Sequence, residues 1–214
     1  MLRIDKLTKR YGDYLVFDGL TQTFAPGCIA LCEEDSTGKS TLLAIVAGVL
    51  AAEGGEVRID GHSMGSAPQA AKARLAYVPD NCLLYPAMTG RELLAQVAAD
   101  KGVALDDATL AIAEDLGVTP HLDKRFEQMS TGSRRKVFLT AANLGHPAVV
   151  IADGPTNGLD MAARDVLAEV FALWGEDRVV LFASHDPAFV AACGAREVEV
   201  GALRQLGGGS TSAP

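Results

Sequence analysis

The chain has 214 residues, of which 49% are hydrophobic and 21% charged, and its net charge is −8. This length fits one large domain or a core with a subdomain, and the apolar content is enough for a substantial core. The acidic balance, without a long Lys/Arg run, argues against nucleic acid as a partner.

Short apolar runs alternate with amphipathic helices along the chain, which predicts an α/β fold. Strands are predicted at Leu2–Leu7, Tyr14–Phe24, Cys28–Cys32, Glu56–Ile59, Ala76–Pro79, Ala148–Ala152, Arg178–Ala183 and Glu197–Val200. Helices are predicted from Lys39 to about Leu50, from Thr89 to about Asp100, over Asp106–Leu116, from near Ser130, after Asp160 and over Pro187–Cys193. A turn at Tyr11-Gly12-Asp13 is predicted between the first two strands. The helix after Asp160 has a predicted core-facing stripe at helical spacing, formed by Ala163, Val166, Leu167, Val170, Phe171 and Trp174. The helical block between Thr89 and Leu144 interrupts the alternation and indicates an inserted subdomain.

No segment predicts export or a membrane span. The N-terminus lacks an apolar signal core, and the longest apolar stretch, Leu42 to Ala52, is shorter than the about 20 residues that a bilayer requires. We therefore expect a soluble chain whose membrane role, if it has one, comes through a partner. The cysteines show no CxxC spacing and are predicted to be buried free thiols rather than metal or redox groups; they are Cys28, Cys32, Cys82 and Cys193.

The segment Gly38-Lys39-Ser40-Thr41 lies between a buried strand and a helix. A helix N-terminus offers free N–H groups and partial positive charge to a phosphate. Lys39 could reach the phosphates, and the Ser40 hydroxyl could ligate Mg²⁺. The preceding loop is unusual, because a phosphate loop normally has glycine where Glu33 stands. A carboxylate about 4 Å from a phosphate charge repels it by about 4 kcal/mol at an effective dielectric near 20, which puts nucleotide affinity in question.

A second candidate site follows the apolar run Ala148–Ala152, which ends in Asp153. A carboxylate at the end of a buried strand is difficult to explain as structure alone and suits Mg²⁺. The next residue is Gly154, which has no side chain with which to orient a water molecule.

Taken in order, these motifs resemble the ATP-binding subunit of an ABC transporter over nearly the whole chain. The resemblance is carried by Tyr11, Gly38–Thr41, Leu84–Glu92, Met129–Ser133, Asp153–Asp160 and Phe182–Asp186. It implies a P-loop NTPase core with an antiparallel β subdomain and an inserted helical signature subdomain. The core would comprise residues 1–88 and 146–206, the helical subdomain residues 89–145, and a flexible tail residues 207–214.

The resemblance implies ATP and Mg²⁺ as cofactors and assigns roles to individual residues. Tyr11 would stack on adenine, Asp160 would close the D-loop, and His185 would be the switch histidine. The nucleotide would be bound by Tyr11, Ser36, Thr37, Gly38, Lys39, Ser40 and Thr41. Mg²⁺ would be held by Ser40, Asp153 and Asp80. The ATP of a partner subunit would contact Ser130, Thr131, Gly132 and Ser133.

Several of these residues could instead have a purely structural role. Tyr11 could be an ordinary turn tyrosine, and His185 could be structural. Ser130 could cap its helix, and Gly132 would let backbone approach a ligand closely. The run Arg134-Arg135-Lys136 is predicted to be a solvated helix face. The remaining histidines lack metal-ligand spacing and are predicted to lie at the surface; they are His62, His121 and His146.

Four positions depart from the family's usual residues. Glu33 and Ser36 replace loop glycines, Asp80 stands where a glutamine contacts Mg²⁺ and water, and Gly154 replaces the catalytic glutamate. Ser133 in the last signature position is a milder change. Because a general base contributes about 10²–10⁴-fold, we expect slow hydrolysis. Asp80 is an alternative base, since its carboxylate is expected near the same water.

The leading functional hypothesis is an ATP-binding subunit that docks on a membrane permease at the cytoplasmic face and couples ATP binding and hydrolysis to its movement. Two identical copies would leave two sites without a catalytic glutamate, so a hetero-pair with a second ATPase is favoured over a homodimer. The alternative is a catalytically inactive ATP-binding scaffold or regulatory subunit. A soluble ABC protein of DNA repair or translation is disfavoured by the acidic charge. The substrate and the direction of transport stay open.

Overall fold

The computed structural model describes residues 1–32, 37–201 and 203. The predicted departures at Glu33 and Ser36 lie outside the described residues, as does the tail 207–214. The strands of the described part of the chain are β1 (Leu2–Tyr11), β2 (Tyr14–Phe24), β3 (Gly27–Leu31), β4 (Gly54–Ile59), β5 (His62–Ser63), β6 (Leu75–Val78), β7 (Val149–Asp153), β8 (Val179–Ala183) and β9 (Arg196–Val198). Its helices are α1 (Lys39–Val46), α2 (Pro68–Ala73), α3 (Gly90–Asp100), α4 (Asp107–Asp115), α5 (Thr131–Ala141), α6 (Met161–Gly175) and α7 (Pro187–Ala192). Two short 3₁₀ helices span Thr119–His121 and Phe126–Gln128.

The described strands form two sheets. The first is antiparallel with the order β2-β1-β4-β5, and the second is parallel with the order β6-β7-β8-β3-β9. Every residue of β7 and β8 is buried, which is the usual state of central parallel strands covered by helices on both faces. This arrangement confirms the predicted α/β fold with its antiparallel β portion and helical block.

The two faces of the parallel sheet contribute to separate hydrophobic clusters. Alternate residues point to opposite faces, so Ile151 packs with α1 and the antiparallel sheet, whereas Val150 packs with α3 to α7. On α6, the predicted core-facing residues Leu167, Phe171 and Trp174 are buried. The helical block shares one continuous cluster with this second face, and the division at residues 89 and 145 stays a prediction.

Several boundaries differ from the sequence prediction. Strand β1 continues to Tyr11, whereas the sequence predicted its end at Leu7. The prediction stopped too early because register shifts and a positive φ of 48° at Lys6 interrupt the alternation by which a strand is recognised. The last strand ends at Val198, where its pairing with β3 ends, and Val200 lies in a helical turn. Helix α1 ends at Val46 and not near Leu50.

Two short elements, β5 and α2, are absent from the sequence prediction. Strand β5 has two residues and α2 has six, so neither is long enough to show a periodic apolar pattern. Within the described part of the chain, no helix combines the length and the apolar character needed to cross a membrane.

Candidate nucleotide-binding site

A surface cleft opens where the carboxyl ends of β7 and β8 meet the start of α1 and the β1–β2 hairpin. Open parallel sheets usually bind their ligands at the carboxyl ends of the strands. Among the described residues, its lining comprises Tyr11, Tyr14, Val16, Thr37, Gly38, Lys39, Ser40, Thr41, Asp80, Asp153, Gly154, Thr156, Asn157, Ala183, Ser184 and His185. The cleft therefore brings together most of the predicted nucleotide residues, whereas Ser36 lies outside the described residues.

The start of α1 is built for an anion. Gly38 has a φ of 97°, a left-handed conformation that glycine adopts readily, and its carbonyl accepts a hydrogen bond from the Leu42 N–H at 2.8 Å. Lys39 is only 7% exposed and lies close enough to Asp153 to favour its ionised form. A buried ammonium group beside a helix N-terminus can bind a phosphate group.

Asp153 ends β7 and is 8% exposed. Burial raises the pKa of its carboxyl group, and the nearby charge of Asp80 raises it further. A hydrogen bond with the Ser40 side chain and the charge of Lys39 oppose this increase.

The donor set fits Mg²⁺, which is usually bound by one or two carboxylates, a hydroxyl, water and substrate phosphates. Among the described residues no cluster of three or more His, Cys, Asp or Glu could hold a metal ion by itself. Ser40 and Asp153 would therefore hold Mg²⁺ together with phosphate oxygens, with Asp80 nearby.

Gly154, in the turn after β7, has a left-handed backbone conformation and side chains close to its Cα. Its φ is 56°, and its N–H donates to the Ala183 carbonyl at 3.2 Å. A Cβ atom at this position would collide with the Asn157 amide nitrogen and lie 3.3 Å from Asp80 Oδ1. Thus the Asn157 side chain occupies the space beside the position of the absent glutamate.

Asp80 is joined to two side chains that sequence analysis did not assign to the site. Its Oδ1 accepts hydrogen bonds from Asn157 Nδ2 at 3.0 Å and from Arg135 Nη2 at 3.2 Å. Arg135 also donates to the carbonyl oxygens of Asp80 at 2.6 Å and of Asp153 at 3.1 Å. We call Asp80, Arg135 and Asn157 the Asp80 bracket.

The predicted solvated face at 134–136 is therefore wrong at Arg135, which is 1% exposed. Three and four positions further along α5 lie Phe138 and Leu139, both buried, so Arg135 shares the buried side of the helix. That spacing is the signal that could have identified it. Its neighbours are also engaged: Arg134 donates to the Phe126 carbonyl at 3.4 Å, and Lys136 donates to Asp160 at 3.2 Å.

Two tyrosines form the far end of the cleft. Tyr11 and Tyr14 are paired across the β1–β2 hairpin and are 51% and 59% exposed. The Lys9 ammonium group lies 5.1 Å from the centre of the Tyr11 ring and 2.8 Å from Glu53. An exposed ring beside a cation is a suitable stacking surface for a base. Tyr14 was not predicted, although its place directly after the turn was visible.

The signature segment lies outside this cleft. Ser130 caps α5 by accepting a hydrogen bond from the Ser133 N–H at 3.1 Å, as predicted from its position. A Cβ atom at Gly132 would collide with the Gly158 carbonyl oxygen, so this glycine permits close contact with its own chain. Asp160 caps α6 by accepting from the Ala163 N–H at 2.9 Å.

The remaining predicted residues are His185 and the four cysteines. His185 is exposed, lines the cleft and follows β8 after one residue, Ser184. All four cysteines are free, as predicted; three are buried, and Cys32 is partly buried. Burial raises the pKa of Cys28 and Cys82 to about 11 and that of Cys193 to about 12, so these thiols are inert at neutral pH.

Comparison with known proteins identifies relatives of this chain. The family model for ABC transporters matches residues 20–157. The Nod factor export ATP-binding protein I of Paraburkholderia xenovorans is 31% identical over 189 residues, which cover 86% of this chain and 62% of that protein. The linearmycin resistance ATP-binding protein LnrL of Bacillus subtilis is 27% identical, with 86% and 61% covered.

The chain spans about three fifths of the length of these two relatives, and it covers 22% of an ABC transporter ATP-binding/permease protein of Mycobacterium tuberculosis at 30% identity. Solved structures share its fold. The ATP-binding subunit of an ABC transporter has a TM-score of 0.82 at 24% identity, covering 94% of this chain and 87% of that one. A dimeric bacterial ABC transporter cassette also has a TM-score of 0.82, at 18% identity, with 94% and 95% covered. Because the family model spans more than half of the chain, this protein belongs to the ABC transporter family and has the fold of its ATP-binding cassettes.

Proposed function

We propose that this chain is the ATP-binding subunit of a bacterial ABC transporter, which couples ATP binding and hydrolysis to movement of a membrane permease and hydrolyses ATP slowly at its own site. The observation that carries the proposal is one cleft that joins Lys39 and Ser40, at the start of α1, to Asp153, at the end of β7, whose carboxyl group is hydrogen-bonded to Ser40. The same cleft has a glycine at the position that follows Asp153.

The residues of the cleft divide the work of holding a nucleotide. Tyr11 would stack on the base, and the N–H groups at the start of α1 and the Lys39 ammonium would bind phosphate oxygens. Ser40 and Asp153 would hold Mg²⁺. Bound Mg²⁺ would neutralise charge on the phosphates. Thr37 and Thr41 line the same end of the cleft and can donate hydroxyl hydrogen bonds to it.

Hydrolysis is slow because no side chain at residue 154 can orient water. His185 lies across the cleft and can hydrogen-bond a phosphate oxygen or a water molecule. Asp80, the alternative base, has its Oδ1 engaged by Arg135 and Asn157. We therefore assign Asp80 to orientation of the site and not to proton transfer.

An apolar groove beside the cleft supports a permease as partner. Its exposed side chains include Val49, Leu84 and Tyr85. The groove and the nucleotide cleft share Asp80, Ser40 and Asp153 as lining residues. An apolar segment of a permease seated in this groove would thus contact the same loop that faces the nucleotide. We propose that the subunit lies at the cytoplasmic face of the membrane, held there by the permease.

The proposal includes a second ATPase subunit that pairs with this chain. Residues Ser130–Ser133 lie outside the chain's own cleft, as expected if they contact a nucleotide bound to a partner. Two copies of this chain would form two sites without a catalytic glutamate, whereas a more complete partner would supply one competent site. We therefore favour a hetero-pair over a homodimer.

One observation favours a second function, a catalytically inactive scaffold or regulatory subunit that holds ATP. Gly154 offers no side chain that could orient water, and the two polar side chains nearest to it, Asn157 and Asp80, are hydrogen-bonded to each other. The two functions differ in turnover: the scaffold binds ATP and leaves all hydrolysis to its partner.

Calorimetric titration with ATP and with tripolyphosphate, both with Mg²⁺, tests the proposal. Lys39→Ala should weaken both ligands by about 10- to 150-fold, the range for a hydrogen bond to a charged group. Tyr11→Ala should weaken ATP alone by about 5- to 150-fold, because tripolyphosphate has no base to stack. Lys124→Ala, at an exposed lysine outside the cleft, is the control and should change neither affinity.

A chain that binds no ATP, or that binds it equally well without Lys39, would refute the proposed function. Phosphate release in the presence of the second ATPase then separates the two candidates. Measurable turnover by this chain's own site, lost on Lys39→Ala, supports the transporter ATPase, whereas undetectable turnover supports the scaffold.

A further inference from the structure

We propose that a groove between α4 and α6, at the edge of the parallel sheet opposite the nucleotide cleft, is a docking site for a basic amphipathic helix of a partner protein. Its lining includes Arg178, directly before β8, and His146, shortly before β7. The groove therefore lies near the amino ends of strands whose carboxyl ends face the cleft. Among the described residues it shares no lining residue with the cleft or with the apolar groove proposed for the permease. The inference goes beyond the proposed function and does not depend on it.

The floor of this α4–α6 groove is apolar. It is formed by Ala108, Ala111, Ile112, Val170, Leu173 and Trp174. The first three recur at helical spacing on α4 and the last three on α6, so each helix turns one apolar face into the groove. The volume of about 890 Å³ admits several side chains at once.

Leu173 is exposed in this groove although its neighbours on α6 are buried. The core-facing residues Phe171 and Trp174 are buried, whereas Leu173 is 63% exposed. Val103, which also lines the groove, is 39% exposed. Large apolar side chains that are exposed together on a concave surface mark an interaction site.

The rim of the groove is acidic. Asp106 and Asp115 stand at the two ends of α4, which places them about 14 Å apart along the helix axis. Glu176 and Asp177 follow the end of α6. A partner helix of about three turns could therefore meet carboxylates along its whole length.

The basic groups of the lining are already paired. Arg178 is 7% exposed, donates to Asn143 at 3.2 Å and lies 3.4 Å from the Asp177 carboxylate. His146 lies 3.7 Å from the same carboxylate. In the described part of the chain, the rim carboxylates at residues 115 and 176 form no ion pair. The surface that a partner would contact is therefore negative.

These features select one kind of occupant. None of the described lining residues belongs to a strand, so the geometry suits a helix laid in a groove and not an added strand. Apolar residues on one face of that helix would cover Leu173, and lysines or arginines on its flanks would meet Asp115 and Glu176. Nucleic acid, an anionic membrane surface or a second copy of this chain, whose net charge is −8, would be repelled by the same carboxylates.

A titration with a model peptide, without nucleotide, tests the proposal. The probe is a helical peptide of about 18 residues with leucines on one face, lysines on its flanks and no aromatic residue. Trp174 is the single tryptophan of the chain and lies in the floor of the groove, so its emission reports binding at this place. We expect a saturable change in emission, and no change with the same peptide carrying glutamate in place of lysine.

Charge reversal with a matched control distinguishes the groove from the acidic surface as a whole. Asp115→Lys/Glu176→Lys reverses two rim carboxylates and should weaken peptide binding at least about 4-fold, because two attractions become two repulsions. Glu114→Lys/Asp165→Lys makes the same change in net charge at exposed carboxylates of α4 and α6 outside the groove. At physiological salt this control should weaken binding less than about 2-fold.

The apolar contact is tested by a second pair of variants. Leu173→Asn should weaken peptide binding by about 5- to 25-fold, because the partner no longer buries an exposed leucine. Leu110→Asn, at an exposed leucine of α4 outside the groove, should change it less than about 2-fold.

Equal weakening by the two charge-reversal pairs, or by the two leucine variants, would show unspecific attraction and overturn the inference. The absence of a saturable change in Trp174 emission would also overturn it. Self-association of the native protein that Leu173→Asn abolishes would assign the groove to a second copy of this chain, against the proposal. Because nucleotide is absent throughout, none of these outcomes depends on whether the chain binds ATP.

Discussion

At the scale of single residues, the cleft and its surroundings contain charged side chains that are buried. Asp153, Lys39 and Arg135 are each at least nine-tenths buried, and burial of a charge is unfavourable unless partners compensate it. Arg135 is compensated by two carbonyl oxygens and a carboxylate. Asp153 is compensated less completely, because the nearby charge of Asp80 adds to its burial in raising its pKa. A buried carboxylate of this kind is typical of a functional site.

Replacement of Asp153 by asparagine should stabilise the protein at pH 7 in the absence of Mg²⁺. Burial raises the pKa of Asp153, so the folded state prefers the protonated carboxyl group. Below the ordinary aspartate pKa of about 3.9 both states are protonated and no penalty exists. The penalty appears as pH rises through the raised folded-state pKa. Urea-unfolding midpoints of Asp153→Asn and the native protein should therefore converge as pH falls from 7 towards 4.

Asp160→Asn provides a control of opposite sign. The Ala163 N–H and Lys136 lower the pKa of Asp160, so its ionised form contributes stability above the ordinary pKa that is lost as pH falls through the lowered one. This variant should not gain stability at pH 7. An Asp153→Asn protein less stable than the native protein at pH 7 would contradict the prediction.

At the scale of secondary-structure elements, a polar side chain caps the start of five of the described helices, whereas α1 and α2 have no side-chain cap. Each cap accepts a hydrogen bond from a backbone N–H of the first turn, as expected for short polar residues at that position. These caps are Thr89 on α3, Asp106 on α4, Ser130 on α5, Asp160 on α6 and Asp186 on α7. Two of them, Ser130 and Asp160, are also residues that the family resemblance assigns to function.

The two roles of Ser130 can be separated by a pair of variants. Ser130→Ala removes the cap and should destabilise the protein by about 1 kcal/mol, or about 2–4 °C in Tm. Ser130→Asp preserves a cap of similar strength and should have a Tm close to that of the native protein. If Ser130 faces a partner's phosphate, the new carboxylate should abolish ATP-driven association in sedimentation experiments, because like charges about 4 Å apart repel by about 4 kcal/mol at an effective dielectric near 20.

Asp106→Ala is the control for this pair, since Asp106 caps α4 and lies outside the cleft. It should lower Tm as Ser130→Ala does and leave ATP-driven association unchanged. Association of Ser130→Asp equal to that of the native protein would show that Ser130 serves only as a cap.

At the scale of the whole molecule, the parallel sheet brings the nucleotide cleft and the apolar groove together. Both lie near the carboxyl ends of β6 and β7, and Asp80 lines both. Exposed apolar side chains beside a polar site suit a partner that responds to ligand binding. If the proposed permease partner docks on this groove, docking should be most sensitive to substitution there.

Leu84→Asp should reduce co-purification of the chain with the proposed permease partner without changing ATP affinity. Leu84 is exposed and lines the groove but not the cleft, so a charge there disfavours an apolar partner while leaving the nucleotide residues intact. Leu110→Asp is the matched control, because Leu110 is an exposed leucine on α4 outside the groove. Equal co-purification of the two variants would contradict the proposed docking surface.

Local information in the sequence was sufficient for much of the fold. Apolar runs of the right length predicted the central strands, helical spacing predicted the buried face of α6, and turn residues predicted the hairpin that carries Tyr11. These signals act within a few residues and are visible without knowledge of the fold. Short elements such as α2 and β5, and the continuation of β1 past its bulge, were missed because their signals are weak or interrupted.

By itself the sequence determined the motifs, their order and the absence of a side chain at Gly154. Only the tertiary structure decided what surrounds that glycine. Asp80 is 55 residues from Arg135 and 77 from Asn157 along the chain, so no local pattern indicates their hydrogen bonds. Burial of Arg135 likewise results from packing of α5 against the loop after β6 and the end of β7, which neutralises a charge that, by sequence alone, belongs in solvent.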